Sequence, residues 1–389
     1  MKIMLIGGGS GGHITPLLAV ARELKQIDKD TVIIGVCEKG SNFTNLYKDC
    51  SDIDNVKQIS AGKYRRYGNY TRIQRVLDVE TWLLNFRDVF LTIAGYRQSI
   101  RYLKKQKPDA LLMKGGFVAV PMGLAAARLK IPFITHDSDS TPGLANRMIS
   151  RWASYNATGM PAELYSYPKS KLRFTGIPLS KNFTKVNDKL RSSYREQLGI
   201  KESSLVLTIV GGSLGGTQLN IDIANLSKGL LDSNKNLVIV HVAGNGKVEE
   251  TVSVYKAILS EEEFKRVNIS GFVSDIYVRQ GAGDIVITRA GATQTAELAI
   301  QCLPIIIVPA DLAGGHQDKN ANFFAKKEAA IAVKSGDRDD LLKSINALLK
   351  DKNLRSKLSS NLFKLSKPEA AKELAELVVT VSSENIREK

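Results

Sequence analysis

His13 closes a run of five glycines broken only by Ser10, directly behind the apolar segment KIMLI. Glycines after a strand let the backbone approach a phosphate closely. The helix expected next would add unpaired N–H groups and the positive end of its dipole. The spacing Gly7-x-Gly9-x-x-Gly12 also fits a dinucleotide turn, and Glu38 closes the next expected strand, where an acidic residue would hold a ribose hydroxyl. His13 has no part in that pattern. It is either a helix-start residue bonded to backbone or an acid–base group, for which an imidazole titrating near neutrality is suited.

Four further stretches carry chemistry. GGSLGG (Gly211–Gly216) repeats the glycine device, its turn beginning 204 residues after that at Gly7. A hydride-transfer enzyme needs one such turn, whereas a nucleotide-sugar transferase with a charged acceptor uses two. TRAGATQTAEL (Thr288–Leu298) is again a strand, a small-residue turn and a helix. Its Glu297 is either a solvated helix residue or a carboxylate that accepts both hydroxyls of a ribose. GGHQDKNANFF (Gly314–Phe324) offers amides and an imidazole, which suit sugar hydroxyls or equally a polar helix start. In THDSD (Thr135–Asp139), Asp137 and Asp139 read as turn-forming residues, as acid–base groups beside His136, or as a metal-chelating Asp-x-Asp.

These residues need a frame that brings turns together. KIMLI, TVIIGV, DALLM and PFITH in the first half, and LVLTIVGG, NLVIVHVAG, DIVIT and PIIIVPA in the second, read as buried strands. Helical stretches lie between them, including 17–26 and 118–129. The alternation predicts parallel α/β sheets, one in each half. The polar stretch TGIPLSKNFTKVNDK marks the boundary, giving domains at 1–178 and 179–365, with 366–389 returning to the first domain. An apolar stripe (Ala371, Leu374, Leu377, Val378) requires the last helix to pack on something. Three scattered cysteines fit reduced thiols in a cytoplasmic protein, and neither a signal peptide nor a membrane-spanning helix is expected.

In order, the motifs GGGSGGHITP, KGGFVAVP, HDSDSTPGLANR, GGSLGGTQLN, RAGATQTAE and HQDKNA resemble the MurG family. Its members are GT-B glycosyltransferases that move N-acetylglucosamine from UDP onto the muramyl sugar of lipid I, making lipid II for peptidoglycan. The resemblance implies two Rossmann-like α/β domains with parallel sheets facing a central cleft. It assigns Ser10, Gly11, Gly12, Gly115 and Gly116 to the acceptor pyrophosphate. His13 is the implied general base, with Asp137 and Asp139 as rivals. Ser213, Val273, Gly291, Ala292, Thr293, Glu297, His316, Gln317 and Asn320 are assigned to the UDP-sugar: Val273 by its backbone to the uracil, Glu297 to the ribose, Gln317 with His316 to the sugar, Asn320 to support of that loop. The donor is UDP-GlcNAc and the acceptor is lipid I-like, with no cofactor and no protein-held metal implied. The family pattern is altered at several points. Phe117 replaces a Tyr, Asp137 and Asp139 stand in a His-Glu-Gln-Asn, Ser180 replaces an Arg with Lys181 the nearest cation, and Gln294 replaces a Thr.

The net charge of +16 is uneven: eleven basic residues against three acidic lie between Ser60 and Lys107. Nucleic acid or an anionic membrane surface would attract such a stretch. A lipid-linked acceptor favours the membrane and no nucleic-acid partner, with Trp82, Leu83, Phe86 and Phe90 as an interfacial anchor and the enzyme peripheral on the inner face of the cell membrane. The same apolar spacing from Phe86 onward also fits a core helix. Competing functions are a GT-B transferase for another lipid-linked acceptor, a nucleotide-dependent oxidoreductase and a UDP-sugar epimerase.

Overall fold

Short runs of isoleucine, leucine and valine have no polar face to turn to water, so they fold as strands covered on both sides. In the computed structural model, which describes residues 1–63, 78–212, 215–310 and 315–387, they build two parallel sheets. The first contains β1 (Lys2–Ile6), β2 (Val32–Glu38), β3 (Asn55–Ile59), β4 (Ala110–Met113), β5 (Phe133–Asp137), β6 (Tyr155–Thr158) and β7 (Leu172–Phe174), in the order 3-2-1-4-5-6-7. The second contains β8 (Leu205–Val210), β9 (Leu237–Val242), β10 (Val267–Ser270), β11 (Ile285–Thr288), β12 (Ile305–Ile307) and β13 (Ile331–Ala332), in the order 10-9-8-11-12-13.

The eight strands expected from the sequence are present. β3, β6, β7, β10 and β13 are additional, and each has a physical reason for escaping the pattern. β3, β7, β10 and β13 are edge strands or short, half-exposed ones. β6 reads YNAT, yet it is largely buried because Thr135 donates a 2.7 Å hydrogen bond to the Asn156 side chain.

Two compact units result, residues Met1–Lys181 with Lys367–Lys389, and Asn182–Ser366. The chain re-enters the first unit through the helix Ala370–Arg387, which buries Leu374, Ala375, Val378 and Val381 in the core that also holds Leu17, Val20 and Leu24 of the helix Gly11–Ile27. Burial of Leu374 or Val378 contributes about 2 kcal/mol each. The second unit has its own core around Leu207, Ile209, Ile223, Ile239, Ile287 and Ile345.

Both sheets reverse strand order at one point, between β1 and β4 in the first and between β8 and β11 in the second. At such a point the connections leave in opposite directions and open a crevice at the carboxyl ends of the strands. Three of the sequence motifs sit directly there: the Gly7–Gly12 turn after β1, the GGSLGG turn after β8, and the RAGA turn after β11. The fourth position, after β4, is taken by Lys114, Gly115 and Gly116.

Candidate active site

In the first unit two glycine turns close on each other. Gly115 and Gly116 have φ of 96° and 73°, in the left-handed region where glycine is favoured. A Cβ on Gly116 would overlap the backbone carbonyl oxygen of Gly8, so the two turns meet main chain to main chain. That same Gly8 oxygen lies 2.7 Å from Nδ1 of His13. A carbonyl only accepts, so Nδ1 carries the hydrogen and Nε2 keeps its lone pair. No described group bonds Nε2. The imidazole is held below its ordinary pKa, first by burial and then by the Lys114 ammonium, while the Gly8 carbonyl, Asp139 and Glu38 act the other way. His13 is therefore a neutral base presented at a glycine turn.

Glu38 has a different task from a ribose ligand. Its carboxylate accepts from the Gly9 N–H at 3.0 and 3.2 Å and lies against Gly8. The carboxylate is spent on the turn itself, which removes the acidic partner that the dinucleotide reading requires.

THDSD extends β5 past the same edge. Asp137 is 4% exposed, and both its oxygens are engaged. Oδ1 accepts from the Gly143 N–H and the Asn146 amide, and Oδ2 from the Tyr167 hydroxyl. Burial pushes its carboxyl up and these donors pull it back, as does Lys114. Asp137 thus ties the turn to the helix Leu144–Ile149 and is badly placed to take a proton. Asp139 is half-buried, and its charge reaches His13 and Lys114. His136 is buried and neutral, donating from Nε2 to the Gly176 carbonyl at 2.8 Å.

Lys114 is the functional candidate that sequence reading passed over. It is 2% exposed, donates from Nζ to Ser138, and is pushed down to about 8 by burial against the pull of Asp137 and Asp139. A lysine before a glycine turn reads as a surface cation. Only the tertiary fold buries it.

In the second unit the same device recurs. A Cβ on Gly215 would overlap the Ala243 carbonyl oxygen, bringing the GGSLGG turn onto the end of β9. Ser213 lies outside the described residues. Side chains then join three motifs: Arg289 donates to the Gly215 carbonyl at 2.9 Å, Gln294 to the Val210 carbonyl at 3.2 Å, and Asn320 to the Ala290 carbonyl at 3.0 Å. Gly291 begins the helix Ala292–Gln301, with Ala292 buried and Thr293 and Glu297 half-buried along it. Burial raises the Glu297 carboxyl to about 7, against a hydrogen bond from Gln280 at 3.2 Å. Gln317 accepts from the Ala310 N–H at 2.8 Å, and His316 opens the helix His316–Lys326. Val273 is half-buried in the turn that follows β10.

These turns share an open helix start, as do the helices beginning at Thr44, Ala119, Leu144, Val248 and Ile276. The helices beginning at Gly11, Thr217, Ala292 and His316 have no side-chain cap bond at their N-termini. Those beginning at Val79, Asp188, Arg338 and Lys352 are capped by Asp78, Asn187, Asp337 and Asp351. Uncapped first-turn N–H groups are available to an external anion. Among the described residues no three His, Cys, Asp or Glu side chains converge as a metal site.

Away from the turns, the helix Val79–Gln106 exposes Trp82, Leu83, Phe86, Val89, Phe90 and Ile93, by 41 to 65%. They are not core. Its inner face carries Asp88, Thr92, Gly95 and Ser99. Beside Ile93, a recess of about 650 Å³ is lined by Tyr96, Leu124, Arg128, Lys130 and Trp152. Among the described residues no helix is long and apolar enough to cross a membrane.

Residues 3–158 match the glycosyltransferase family 28 N-terminal domain and residues 206–374 its C-terminal domain. A Clostridium perfringens protein named UDP-N-acetylglucosamine--N-acetylmuramyl-(pentapeptide) pyrophosphoryl-undecaprenol N-acetylglucosamine transferase is 33% identical over 378 residues, covering 94% of each chain. An Acetivibrio thermocellus protein of the same name is 29% identical over 97% of each. The crystal structure of Acinetobacter baumannii MurG superposes with a TM-score of 0.70 at 26% identity, covering 97% of this chain and 99% of that one. The chain belongs to the MurG family. It is a hexosyltransferase of GT-B fold. A Neisseria meningitidis UDP-GlcNAc 2-epimerase, with a TM-score of 0.67 at 14% identity over 98% of this chain and 100% of that one, shares the fold alone.

The departures from the MurG family pattern have local explanations. Gln294 reaches the Val210 carbonyl, a bond that locks the RAGA helix to the end of β8. The Phe117 ring packs over Gly9. Lys181 is drawn to the first helix, 3.0 Å from Glu23 and 2.9 Å from Gln26. Gly116→Ala tests the closure of the acceptor-side turns. Its positive φ and the overlap with the Gly8 carbonyl each resist a side chain, so the substitution costs about 1–3 kcal/mol. Calorimetry is expected to show a lowered unfolding temperature, and an unchanged one would contradict the close approach.

Proposed function

We propose that this MurG-family chain transfers N-acetylglucosamine, with inversion, from UDP-GlcNAc to the muramyl sugar of a lipid I-like acceptor. The observation that carries this reading is the His13 imidazole. Its Nδ1 is committed to Gly8, its charge is suppressed, and its Nε2 has no hydrogen-bond partner among the described residues. The acceptor's pyrophosphate lies along Ser10, Gly11, Gly12, Gly115 and Gly116. Its sugar hydroxyl gives its proton to Nε2 as the oxygen bonds the anomeric carbon and the carbon–UDP bond breaks. UDP leaves as a diphosphate, its charge met by N–H groups and helix dipoles of the second unit. The reading therefore needs no protein-held metal.

In the second unit the Val273 backbone reads uracil and Glu297 takes the ribose hydroxyls. Thr293, Gln317 and His316 face the diphosphate and sugar, and Asn320 holds its loop against the RAGA turn. In this reading the exposed apolar helix, flanked by Arg87, Arg97, Arg101 and the cation-lined recess, meets an anionic membrane surface, the enzyme being peripheral on its cytoplasmic face.

Transfer of radiolabelled GlcNAc from UDP-GlcNAc to lipid I tests the reaction. His13→Ala is expected to lower kcat by about 100-fold or more, and near-normal turnover would return His13 to a structural role. Glu297 gives a pH test. A carboxyl raised to about 7 is ionised, and able to accept two hydroxyls, only above that pH. Affinity for UDP-GlcNAc, whose diphosphate does not titrate near 7, is expected to fall towards about tenfold per unit as the pH drops below 7. Titration calorimetry on Glu297→Gln is expected to show weaker, pH-independent binding, and the wild-type slope persisting in that variant would remove Glu297 from the site. Replacing Trp82, Leu83 and Phe90 together by serine is expected to weaken binding to anionic vesicles by at least about tenfold while leaving UDP-GlcNAc affinity intact. Unchanged sedimentation with vesicles would refute the membrane contact.

A further inference from the structure

A second charged residue stands behind the acceptor turns. Lys114 extends β4 by one residue, its N–H bonded to the Ile6 carbonyl at 2.9 Å, two residues before Gly8. Its side chain does not reach solvent. Nζ is bonded to Ser138, with the charges of Asp137 and Asp139 beside it. From Lys114 the chain passes through Gly115 to Gly116, which touches the Gly8 oxygen that orients His13. A buried cation is thus joined to the His13 ring by four residues of tightly packed backbone.

We propose that Lys114 is a positioning residue for the transfer, its buried ammonium fixing the electrostatic environment in which His13 meets the acceptor hydroxyl. The proposal rests on His13 being the base of the reading above. The groups facing His13 are the Lys114 ammonium, the Asp139 and Glu38 carboxylates and the Gly8 carbonyl. Lys114 alone among them opposes protonation of the ring. With Lys114 charged, Nε2 stays unprotonated at neutral pH and accepts the hydroxyl proton. Without it, burial alone opposes the two carboxylates and the carbonyl, and the ring binds a proton more readily, leaving less of it with a lone pair to offer. The ammonium also leaves a fixed positive charge beneath turns that receive a pyrophosphate. Asp137 and Asp139 keep that charge in place, each raising the affinity of Lys114 for its proton.

The test is an NMR titration of the imidazoles in the full chain, which has four histidines, with His13 assigned by His13→Gln. In the wild type the His13 resonances are expected to move a second time near pH 8, where Lys114 loses its proton. In Lys114→Met the His13 midpoint is expected to rise by about one pH unit, and Lys114→Arg restores it. In the transfer assay Lys114→Met then moves the acid limb of kcat upward by the same amount with little change in KM for UDP-GlcNAc. A folded Lys114→Met with an unmoved His13 midpoint overturns the proposal. Should that variant not fold, a wild-type titration with no step near pH 8 overturns it equally. The titration needs no turnover, so a chain that titrates as described but does not transfer GlcNAc contradicts the function and not the electrostatic role.

Discussion

The contact between Gly116 and the Gly8 carbonyl is the constraint on which the candidate site of the first unit depends. Two loops from adjacent strands on either side of the switch point can touch main chain to main chain only if neither bears a side chain. The same Gly8 oxygen accepts from Nδ1 of His13. The ring's orientation, its tautomer and the atom left to accept a proton follow from that bond. Glu38 completes the arrangement from beneath, bonding the Gly9 N–H. A carboxylate on that amide leaves the helix-start N–H groups of Gly11 and Gly12 as the ones open to an anion.

The second unit solves the same problem with more side chains. Gly215 approaches the Ala243 carbonyl as Gly116 approaches Gly8, and amide and guanidinium groups of Gln294, Asn320 and Arg289 then bind the three motif loops through their carbonyls. Using carbonyls for these ties leaves the first-turn N–H groups unspent. The helices on these turns start at glycine or directly behind it, without the Asp or Asn caps of the helices beginning at Val79, Asp188, Arg338 and Lys352. Leaving these helix ends uncapped costs each helix about 1 kcal/mol of capping stabilisation, which core packing around Leu207, Ile209 and Ile287 offsets.

Much of this was legible from sequence because it is local. Glycine turns, the strands before them and the absence of capping residues after them are properties of consecutive residues. The ordered motifs carried the fold and family. Tertiary chemistry was not legible. Glu38 matched a ribose ligand by spacing, but its carboxylate points into its own turn. Asp137 has the position of an acid–base group in sequence, but its carboxylate is occupied by Gly143, Asn146 and Tyr167, which come from elsewhere in the chain. Lys114 carried no signal, since burial of an ammonium depends on Ser138 and two carboxylates arriving from another strand. The edge strands escaped for the complementary reason that exposure relaxes their hydrophobic pattern.

The helix Val79–Gln106 shows that an apolar stripe need not be a core. Its middle packs inward through Asp88, Thr92, Gly95 and Ser99, and at Gly95 and Gly62 even a Cβ would collide with the Ser60 and Asp88 carbonyls. Such close approach admits only small side chains there, so the large ones up to Ile93 turn outward, whereas further along Leu103 is buried with Tyr96 and Ile100 packed beside it, as the core reading of the spacing expects. Each exposed aromatic or leucine forgoes about 1.5–3 kcal/mol of burial. Nothing in the fold requires this, because polar residues at the same outward positions would leave the inner face untouched. A stripe left outside in spite of that penalty recovers it on meeting another apolar surface. Its neighbours Arg87, Arg97 and Arg101 are exposed as well, which matches an interface that is apolar within and anionic at its surface.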